Sequence, residues 1–277
     1  MKFFLCIQKK KTKRNFNYEK ENDLDGVLSS SFSFVETPDQ KKAFDDVFED
    51  MNSEEPMDRL ISGDVGFGKT EVAIRAMFKA FLSNKVSVLL CPTTILADQH
   101  FITCKERLAQ FGVSISLLSR FKTKKEQLKT LSMVKLGQVD ILIGTHRLLS
   151  KDVQISNLGL LVIDEEHRFG VNHKEKIRSF KNNVDVLTLT ATPIPRTLQQ
   201  ALVGLKNLTT IKTPPTSRKP INTFVKYFNW SLVFSHIQKE VNRRGQVYFL
   251  YNDIKGIPFV VKKIKNHFPK TTVVGAS

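Results

Sequence analysis

The run GDVGFGKT at residues 63–70 constrains the fold of this chain more than any other feature. Its glycines allow positive φ angles and close backbone approach, so that consecutive N–H groups can point at one anion. An apolar segment typical of a strand, MDRLISG, precedes the run, and a segment typical of a helix follows it from Lys69 to about Leu82. A glycine loop between a strand and a helix places an anion at the helix N-terminus, so the run predicts a phosphate-binding loop.

Each position of this loop has a predicted part in holding a nucleotide. Lys69 offers a charge to the β- and γ-phosphates, and Thr70 offers a hydroxyl to Mg²⁺. The alternative is a chance glycine turn, which the position between a strand and a helix disfavours. The predicted nucleotide-binding residues of the loop are Gly63, Asp64, Val65, Gly66, Phe67, Gly68, Lys69 and Thr70.

A pair of acids, Asp164 and Glu165, ends an almost wholly apolar run that starts at residue 158. Such a run is typical of a strand covered on both faces, and ligands bind at the carboxyl ends of parallel strands. Asp164 is therefore predicted to hold Mg²⁺ through water, and Glu165 to position and deprotonate the attacking water. The alternative for both acids is the start of a helix, where they would stabilise the helix dipole.

Most of the chain alternates between strand-like and helix-like segments, which indicates βαβ crossovers and a parallel sheet with flanking helices, the α/β class. Further β-branched or leucine-rich runs typical of strands lie at 86–91, 113–118, 139–144, 158–163 and 184–190. The segments between them are typical of helices, at about 95–111, 122–136, 173–180 and 195–204.

Composition divides the chain into four predicted parts. Residues 1–33 are polar and basic and are predicted to be a disordered leader. The α/β pattern occupies residues 34–212, and the segment at 213–222, with its three prolines, is typical of a linker. Residues 223–277 are too few for a full α/β lobe, so we expect an incomplete one. Its predicted strands lie at 223–228, 246–251 and 271–275, and its predicted helices at about 230–243 and 255–267.

The charge of the chain favours a polyanionic partner. Forty-three Lys and Arg against 27 Asp and Glu give a formal charge of +16, and each phosphate that a cation neutralises releases counterions. No apolar run approaches the roughly 18 residues of a membrane span, so no membrane partner is expected. The three scattered cysteines have no metal-ligand spacing and indicate a reducing compartment.

Several longer strings allow a family to be recognised. A phosphate loop, then a DExH sequence and a TAT triplet resemble the superfamily-2 helicases and translocases. The strings GDVGFGKTEVAIRA, PTTILADQH, SRF, IGTHRLLSKDV, DEEHRFGV and TLTATPIPRTL are similar to the transcription-repair coupling factor group, with RecG-type branch-migration helicases as the nearest relatives. The resemblance extends from about Phe34 to the C-terminus. It departs at His167, where most coupling factors carry Gln and the His is RecG-like.

The resemblance implies a RecA-like lobe and the start of a second one, with ATP and Mg²⁺ as cofactors and double-stranded DNA as partner. It implies that Phe34 and Gln40 recognise adenine, although helix packing is the alternative for Phe34. The residues implied in DNA-backbone contact are Pro92, Thr93, Thr94, Thr145, His146 and Arg147, of which the threonines would otherwise be helix caps. Those implied in coupling ATP to DNA are His167, Thr190, Ala191 and Thr192, with a core position as the alternative for His167.

The resemblance also implies elements that this sequence does not contain. Motors of this type receive an arginine from the second lobe, in a QxxGRxGR-type motif, and such a finger contributes about 10³–10⁵ in rate. The family's RNA-polymerase tether is also absent, so a fragment of a longer protein is expected. Three hypotheses follow: an ATP-driven translocase on duplex DNA, a nucleotide- and DNA-binding fragment with little turnover, and a RecG-type helicase. YNDIKGI resembles plastid members, so plastid stroma is expected, with bacterial cytoplasm as the alternative.

Overall fold

The computed structural model describes residues 13–19, 23–180, 184–192, 207–216, 218 and 221–276. Contact density divides the chain into two compact units, Met1–Lys219 and Pro220–Ser277. The division falls within the segment whose prolines are typical of a linker. The first unit contains the glycine loop and both acids.

Seven parallel strands form one sheet among the described residues of the first unit, in the order β3-β4-β2-β5-β6-β1-β7. The predicted parallel α/β sheet is confirmed. The last strand was not predicted, because NLTTI has too few apolar residues to stand out. The strands are β1 (Asp58–Gly63), β2 (Val86–Leu90), β3 (Ile115–Leu118), β4 (Ile141–Gly144), β5 (Leu158–Asp164), β6 (Asp185–Thr190) and β7 (Asn207–Ile211).

Apart from a helix at Asp23–Ser30, which was not predicted, helices flank this sheet at the predicted places, and the helix predicted at 195–204 lies outside the described residues. One helix begins at Pro38 and is capped by Thr37, which accepts a hydrogen bond from the Gln40 N–H. This bond satisfies a backbone donor that has no partner within the helix. The helices are α1 (Asp23–Ser30), α2 (Pro38–Asn52), α3 (Lys69–Leu82), α4 (Thr94–Arg107), α5 (Lys124–Lys135) and α6 (Val171–Phe180).

Both faces of the central strand β5 are buried, as its apolar sequence predicts. Leu160 and Val162 pack into one apolar cluster, together with residues of α2, α3 and α4. Leu161 and Ile163 pack into the other cluster, with residues of α5 and α6. Because successive strand residues point to opposite faces, this alternation places β5 in the middle of the core and its polar end at the sheet edge.

The expectation of a disordered leader over residues 1–33 is wrong for residues 13–19 and 23–33. The Arg14 side chain is 1% exposed, lies 3.3 Å from a carboxylate oxygen of Asp185, and donates to four backbone carbonyls. The Tyr18 hydroxyl donates to the Gly159 carbonyl at 3.1 Å. Composition misled because a guanidinium can be buried when it is paired with a carboxylate and most of its donors are satisfied; of the Arg14 side-chain nitrogens, only Nε has no hydrogen-bond partner among the described residues. The helix α1 follows and buries Leu28.

The second unit contains two helices, α7 (Trp230–Asn242) and α8 (Ile257–His267), as predicted. They enclose a small apolar cluster that includes Ile237 and Ile264. The strands predicted at 223–228, 246–251 and 271–275 are wrong, since no strand pairing occurs among the described residues of this unit. A strand requires a hydrogen-bonded neighbour, which an apolar run alone does not supply.

Across the described parts of both units, no helix combines the length and the apolar character needed to cross a membrane.

Candidate functional site

The candidate site lies at the carboxyl edge of the sheet, where three neighbouring strands end. The glycine loop follows β1, the acidic pair ends β5, and Thr190 ends β6, which lies between them. All three strands are parallel, so their polar ends face the same side. The sheet therefore brings together residues that are about a hundred positions apart in the chain.

The glycine loop has a backbone that requires glycine. Gly66 and Gly68 have φ angles of 79° and 84°, in the left-handed region that glycine adopts without strain. A methyl group at Gly68 would also overlap the side-chain amide of Gln40. That amide donates to the Phe67 carbonyl at 2.9 Å, so the loop is held from the start of α2.

Lys69, near the end of the loop, is close enough to the acidic pair for both carboxylates to act on its charge. Its Nζ atom donates to the carbonyls of Gly63 at 2.6 Å and Asp64 at 2.9 Å. Burial lowers the pKa of this lysine, and the nearby carboxylates, Glu165 foremost, act in the opposite direction. A partly buried ammonium that bonds only neutral carbonyls would gain from an anion, which is the property that a phosphate site needs.

Glu165 occupies a strained backbone position. Its φ and ψ angles are 52° and 57°, and such a conformation costs a residue other than glycine about 1–3 kcal/mol. The surroundings hold it there: its N–H donates to the Leu189 carbonyl at 2.9 Å. Its carboxylate accepts hydrogen bonds from the Ala191 N–H at 2.8 Å and from the Thr190 hydroxyl at 3.2 Å. The carboxylate is thus aimed by the segment that follows β6.

The four residues implied in coupling gather around Glu165. His167 Nδ1 lies 3.2 Å from Glu165 Oε2 and 3.5 Å from the Thr192 hydroxyl. The hydroxyls of Thr190 and Thr192 lie 2.7 Å apart. The His167 side chain is 50% exposed, so the alternative of a core histidine does not hold.

A single cavity of about 580 Å³ is lined by the loop, the acidic pair and the residues implied in adenine recognition. This volume is in the range of pockets that bind small ligands. Thr70 and Asp164 both line it, and Mg²⁺ is commonly held by one or two such protein oxygens together with substrate phosphates. The residues present therefore fit Mg²⁺ and a nucleotide.

The residues implied in adenine recognition have different surroundings. Phe34 is 59% exposed and makes an edge-to-face contact with Phe32, with ring centres 5.5 Å apart. Gln40 is buried; its oxygen accepts from the Thr37 N–H at 2.9 Å and its amide nitrogen donates to Phe67. The adenine contact that the resemblance implies for Gln40 would therefore compete with the helix cap and with the bond to the loop.

Two residues of this site were missed by sequence reasoning. His100, on α4, has its Nε2 atom 3.1 Å from Asp164 Oδ2. Arg218 has its Nη2 atom 3.1 Å from Asp64 Oδ2 and its guanidinium 4.7 Å from the Phe67 ring centre. No local pattern indicates either contact, because the partners are 64 and 154 positions apart in the chain.

The residues implied in DNA contact lie after β2 and β4, two further neighbouring strands of the same sheet edge. Thr93 is exposed and caps α4 by accepting a hydrogen bond from the Leu96 N–H at 3.3 Å, while Pro92 and Thr94 are half-buried. Thr145 is buried, and its hydroxyl has no hydrogen-bond partner in the described structure. Thr145 therefore does not present its hydroxyl to DNA in this arrangement, contrary to expectation.

His146 and Arg147 differ in their freedom to bind phosphate. His146 Nε2 lies 2.6 Å from Arg120 Nη2, and its ring stacks on His173 at 5.4 Å. Burial lowers the pKa of His146, with Arg120 and His173 acting in the same direction. Arg147 instead donates to both carboxylate oxygens of Asp152, at 2.8 and 2.6 Å. The pair of Arg120 and His146 thus offers donors that Arg147 does not.

A parallel α/β unit with a phosphate loop and an acidic pair at one sheet edge is a RecA-like nucleotide-binding domain. Residues 37–201 match the DEAD/DEAH box helicase family. The chain belongs to this family.

Two bacterial proteins are about half identical to this chain over most of its length. The chain is 51% identical over 263 residues to the transcription-repair-coupling factor of Bacillus subtilis, covering 95% of this chain and 22% of that protein. It is 50% identical over 242 residues to the coupling factor of Staphylococcus aureus, covering 87% of this chain and 21% of that protein. The chain thus spans about a fifth of the length of these curated relatives.

Solved structures give the same fold. A structure of RecG bound to a three-way DNA junction matches with a TM-score of 0.77 and 34% identity, over 91% of this chain and 34% of that one. The helicase MrfA bound to DNA matches with a TM-score of 0.63 at 17% identity, over 93% of this chain and 40% of that one, which shows the fold alone.

Proposed function

We propose that this chain is the ATP-binding part of a translocase of the coupling-factor type, in which ATP hydrolysis drives movement on double-stranded DNA. The observation that carries the proposal is the arrangement around Glu165. Its carboxylate lines the same cavity as the phosphate loop and accepts hydrogen bonds from Ala191 and Thr190. A change in the segment after β6 would therefore move the acid that acts on water.

The residues of the cavity have distinct parts in this reaction. The N–H groups of the loop and the ammonium of Lys69 bind the β- and γ-phosphates. Thr70 and Asp164 hold Mg²⁺, which neutralises charge on the phosphate oxygens when bound. Glu165 orients a water molecule and accepts its proton. Under this assignment, Thr190, Thr192 and His167 transmit a change in the position of Glu165 to the rest of the chain.

The proposed DNA partner rests on the charge of the chain and on the RecG likeness. The RecG structure that this chain resembles contains a three-way DNA junction, and the relatives from Bacillus subtilis and Staphylococcus aureus are named for transcription and repair. An RNA polymerase partner is proposed only for a longer protein of this type. Within this chain, the exposed sheet edge near Thr93, His146 and Arg120 is the proposed contact with the DNA backbone.

ATP turnover with and without duplex DNA tests the proposal. We expect duplex DNA to stimulate turnover by at least about tenfold, well below the roughly 10³–10⁵ that an arginine finger contributes. The measurement is a steady-state phosphate-release assay on the full chain. Equal background rates with and without DNA would favour the alternative, a nucleotide- and DNA-binding fragment with little turnover.

A RecG-type branch-migration helicase is the second candidate, favoured by His167 and by the RecG likeness. Stimulation of turnover by a three-way junction and by a linear duplex of equal length separates the two. A strong preference for the junction would support the RecG type, and equal stimulation would support the coupling-factor type.

Arg120→Ala is expected to weaken duplex DNA binding by roughly threefold to tenfold and to reduce the salt slope by about one, because one phosphate contact is lost. Arg147→Ala is the matched control, since Asp152 already holds its guanidinium. Fluorescence anisotropy with a labelled duplex at several salt concentrations measures both. A larger loss in Arg147→Ala than in Arg120→Ala would contradict the assignment.

A further inference from the structure

One contact joins the helix that follows β2 to the acid that ends β5. The Nε2 atom of His100 lies 3.1 Å from Oδ2 of Asp164, and the two side chains are 12% and 13% exposed. His100 lies on α4, the helix capped by Thr93, and six residues of helix from Thr94 to His100 advance about 9 Å. The contact therefore links the cavity to a helix whose start lies at the proposed DNA face.

The chemistry of this contact determines which atom carries the hydrogen. A carboxylate only accepts hydrogen bonds, so Nε2 of the His100 imidazole donates and Oδ2 accepts. Oδ1 of Asp164 then keeps its lone pairs for a cation or for a cation-bound water. Among the described residues, this is the only hydrogen bond recorded for the Asp164 side chain. The orientation of that carboxylate thus depends on His100.

Resting on the proposed function, we propose that His100 is a positioning residue that fixes the carboxylate of Asp164 for Mg²⁺ binding. A hydrogen-bonded partner behind a metal-binding carboxylate sets its direction, and loss of such a partner commonly lowers metal affinity. Both residues line the cavity that contains Lys69 and Thr70. The position of α4 relative to β5 therefore sets how well the site holds the cation.

The proposal differs from a purely structural role in what it predicts for nucleotide binding. Without Mg²⁺, the nucleotide is held by the loop and Lys69, whose hydrogen bonds in the described structure do not involve His100. With Mg²⁺, the affinity gains from Asp164. Loss of His100 should therefore reduce the gain that Mg²⁺ produces and leave the metal-free affinity unchanged. A packing role would change both affinities together, or only the unfolding temperature.

The test measures the affinity of the full chain for a fluorescent non-hydrolysable ATP analogue in EDTA and in Mg²⁺. We expect His100→Ala to reduce the Mg²⁺-dependent gain by about tenfold. His100→Gln should restore most of it, because the glutamine amide can place a donor near the position of Nε2. Glu106→Gln, an exposed residue on the same helix, is the matched control and should behave as the unsubstituted chain. Should His100→Ala fail to fold, His100→Asn replaces it, being polar but too short to reach Oδ2.

Asp164→Asn separates failure of this inference from failure of the proposed function. If Asp164→Asn loses the Mg²⁺ gain while His100→Ala keeps it, the cation site stands and the positioning role of His100 is overturned. An equal loss of affinity with and without Mg²⁺ in His100→Ala also overturns it. If Asp164→Asn keeps the full Mg²⁺ gain, the cation site itself is wrong and the inference falls with it.

Discussion

Lys69→Ala is expected to weaken Mg²⁺–ATP binding by at least about 100-fold, because hydrogen bonds between charged groups contribute roughly 1.5–3 kcal/mol each and this ammonium would bond two phosphates. In the structure its Nζ atom bonds only the carbonyls of Gly63 and Asp64. Burial lowers the pKa of this lysine. A phosphate in the cavity would stabilise the charged ammonium more than the neutral carbonyls of the loop do. Titration with a fluorescent ATP analogue measures the loss.

The control for this prediction is Lys125→Ala, which removes an exposed lysine on α5. The thermal unfolding of Lys69→Ala is measured as well, since the lysine also bonds the loop. If the affinity of Lys69→Ala stays within a factor of about three of the unsubstituted chain, equivalent to less than 1 kcal/mol, the assignment of the loop to the nucleotide site is contradicted.

Glu165→Gln is expected to leave Mg²⁺–ATP affinity unchanged and to lower the rate of hydrolysis by about 10²–10⁴, the usual contribution of a general base. The amide oxygen can still accept a hydrogen bond from Ala191, so the side chain keeps its place and loses only its ability to take a proton. The strained backbone at φ 52° remains, since glutamine has the same branching as glutamate. Single-turnover hydrolysis in the presence of duplex DNA measures the rate.

Glu166→Gln is the matched control, because it changes the next acid along the chain, which is not among the residues lining the cavity. A comparable loss of rate in Glu166→Gln would contradict the assignment of the general base to Glu165. An unchanged rate in Glu165→Gln would leave the translocase proposal without a catalytic base.

Most of the sheet unit could be predicted from local patterns. The strand before the loop, the helix from Lys69 to Leu82 and the apolar strand β5 all occur where their periodicity indicates. The strand β7 was missed because its residues have little apolar character and pair with β1 only in the folded chain. Three strands were wrongly predicted after residue 222, because apolar runs there lack a pairing neighbour.

The candidate site was predicted in outline and not in its contacts. The loop and the acidic pair carry their chemistry in short strings, which explains why they were recognisable. The burial of Arg14, the partners of Gln40 and the pairing of Arg147 with Asp152 arise between distant segments. From composition, Arg14 was predicted to lie in a disordered leader. From the resemblance, Gln40 was predicted to bind adenine and Arg147 to bind DNA.

The sequence by itself determined the glycine loop, the acidic pair and the family of this chain, because these depend on residue types at short, fixed spacings. Only the tertiary structure decided that Asp164 takes its hydrogen bond from His100 and that Glu165 takes its bonds from the end of β6. The reason is physical: the order of the strands in the sheet sets which loops meet at its edge, and that order results from packing over the whole unit rather than from any local run of residues.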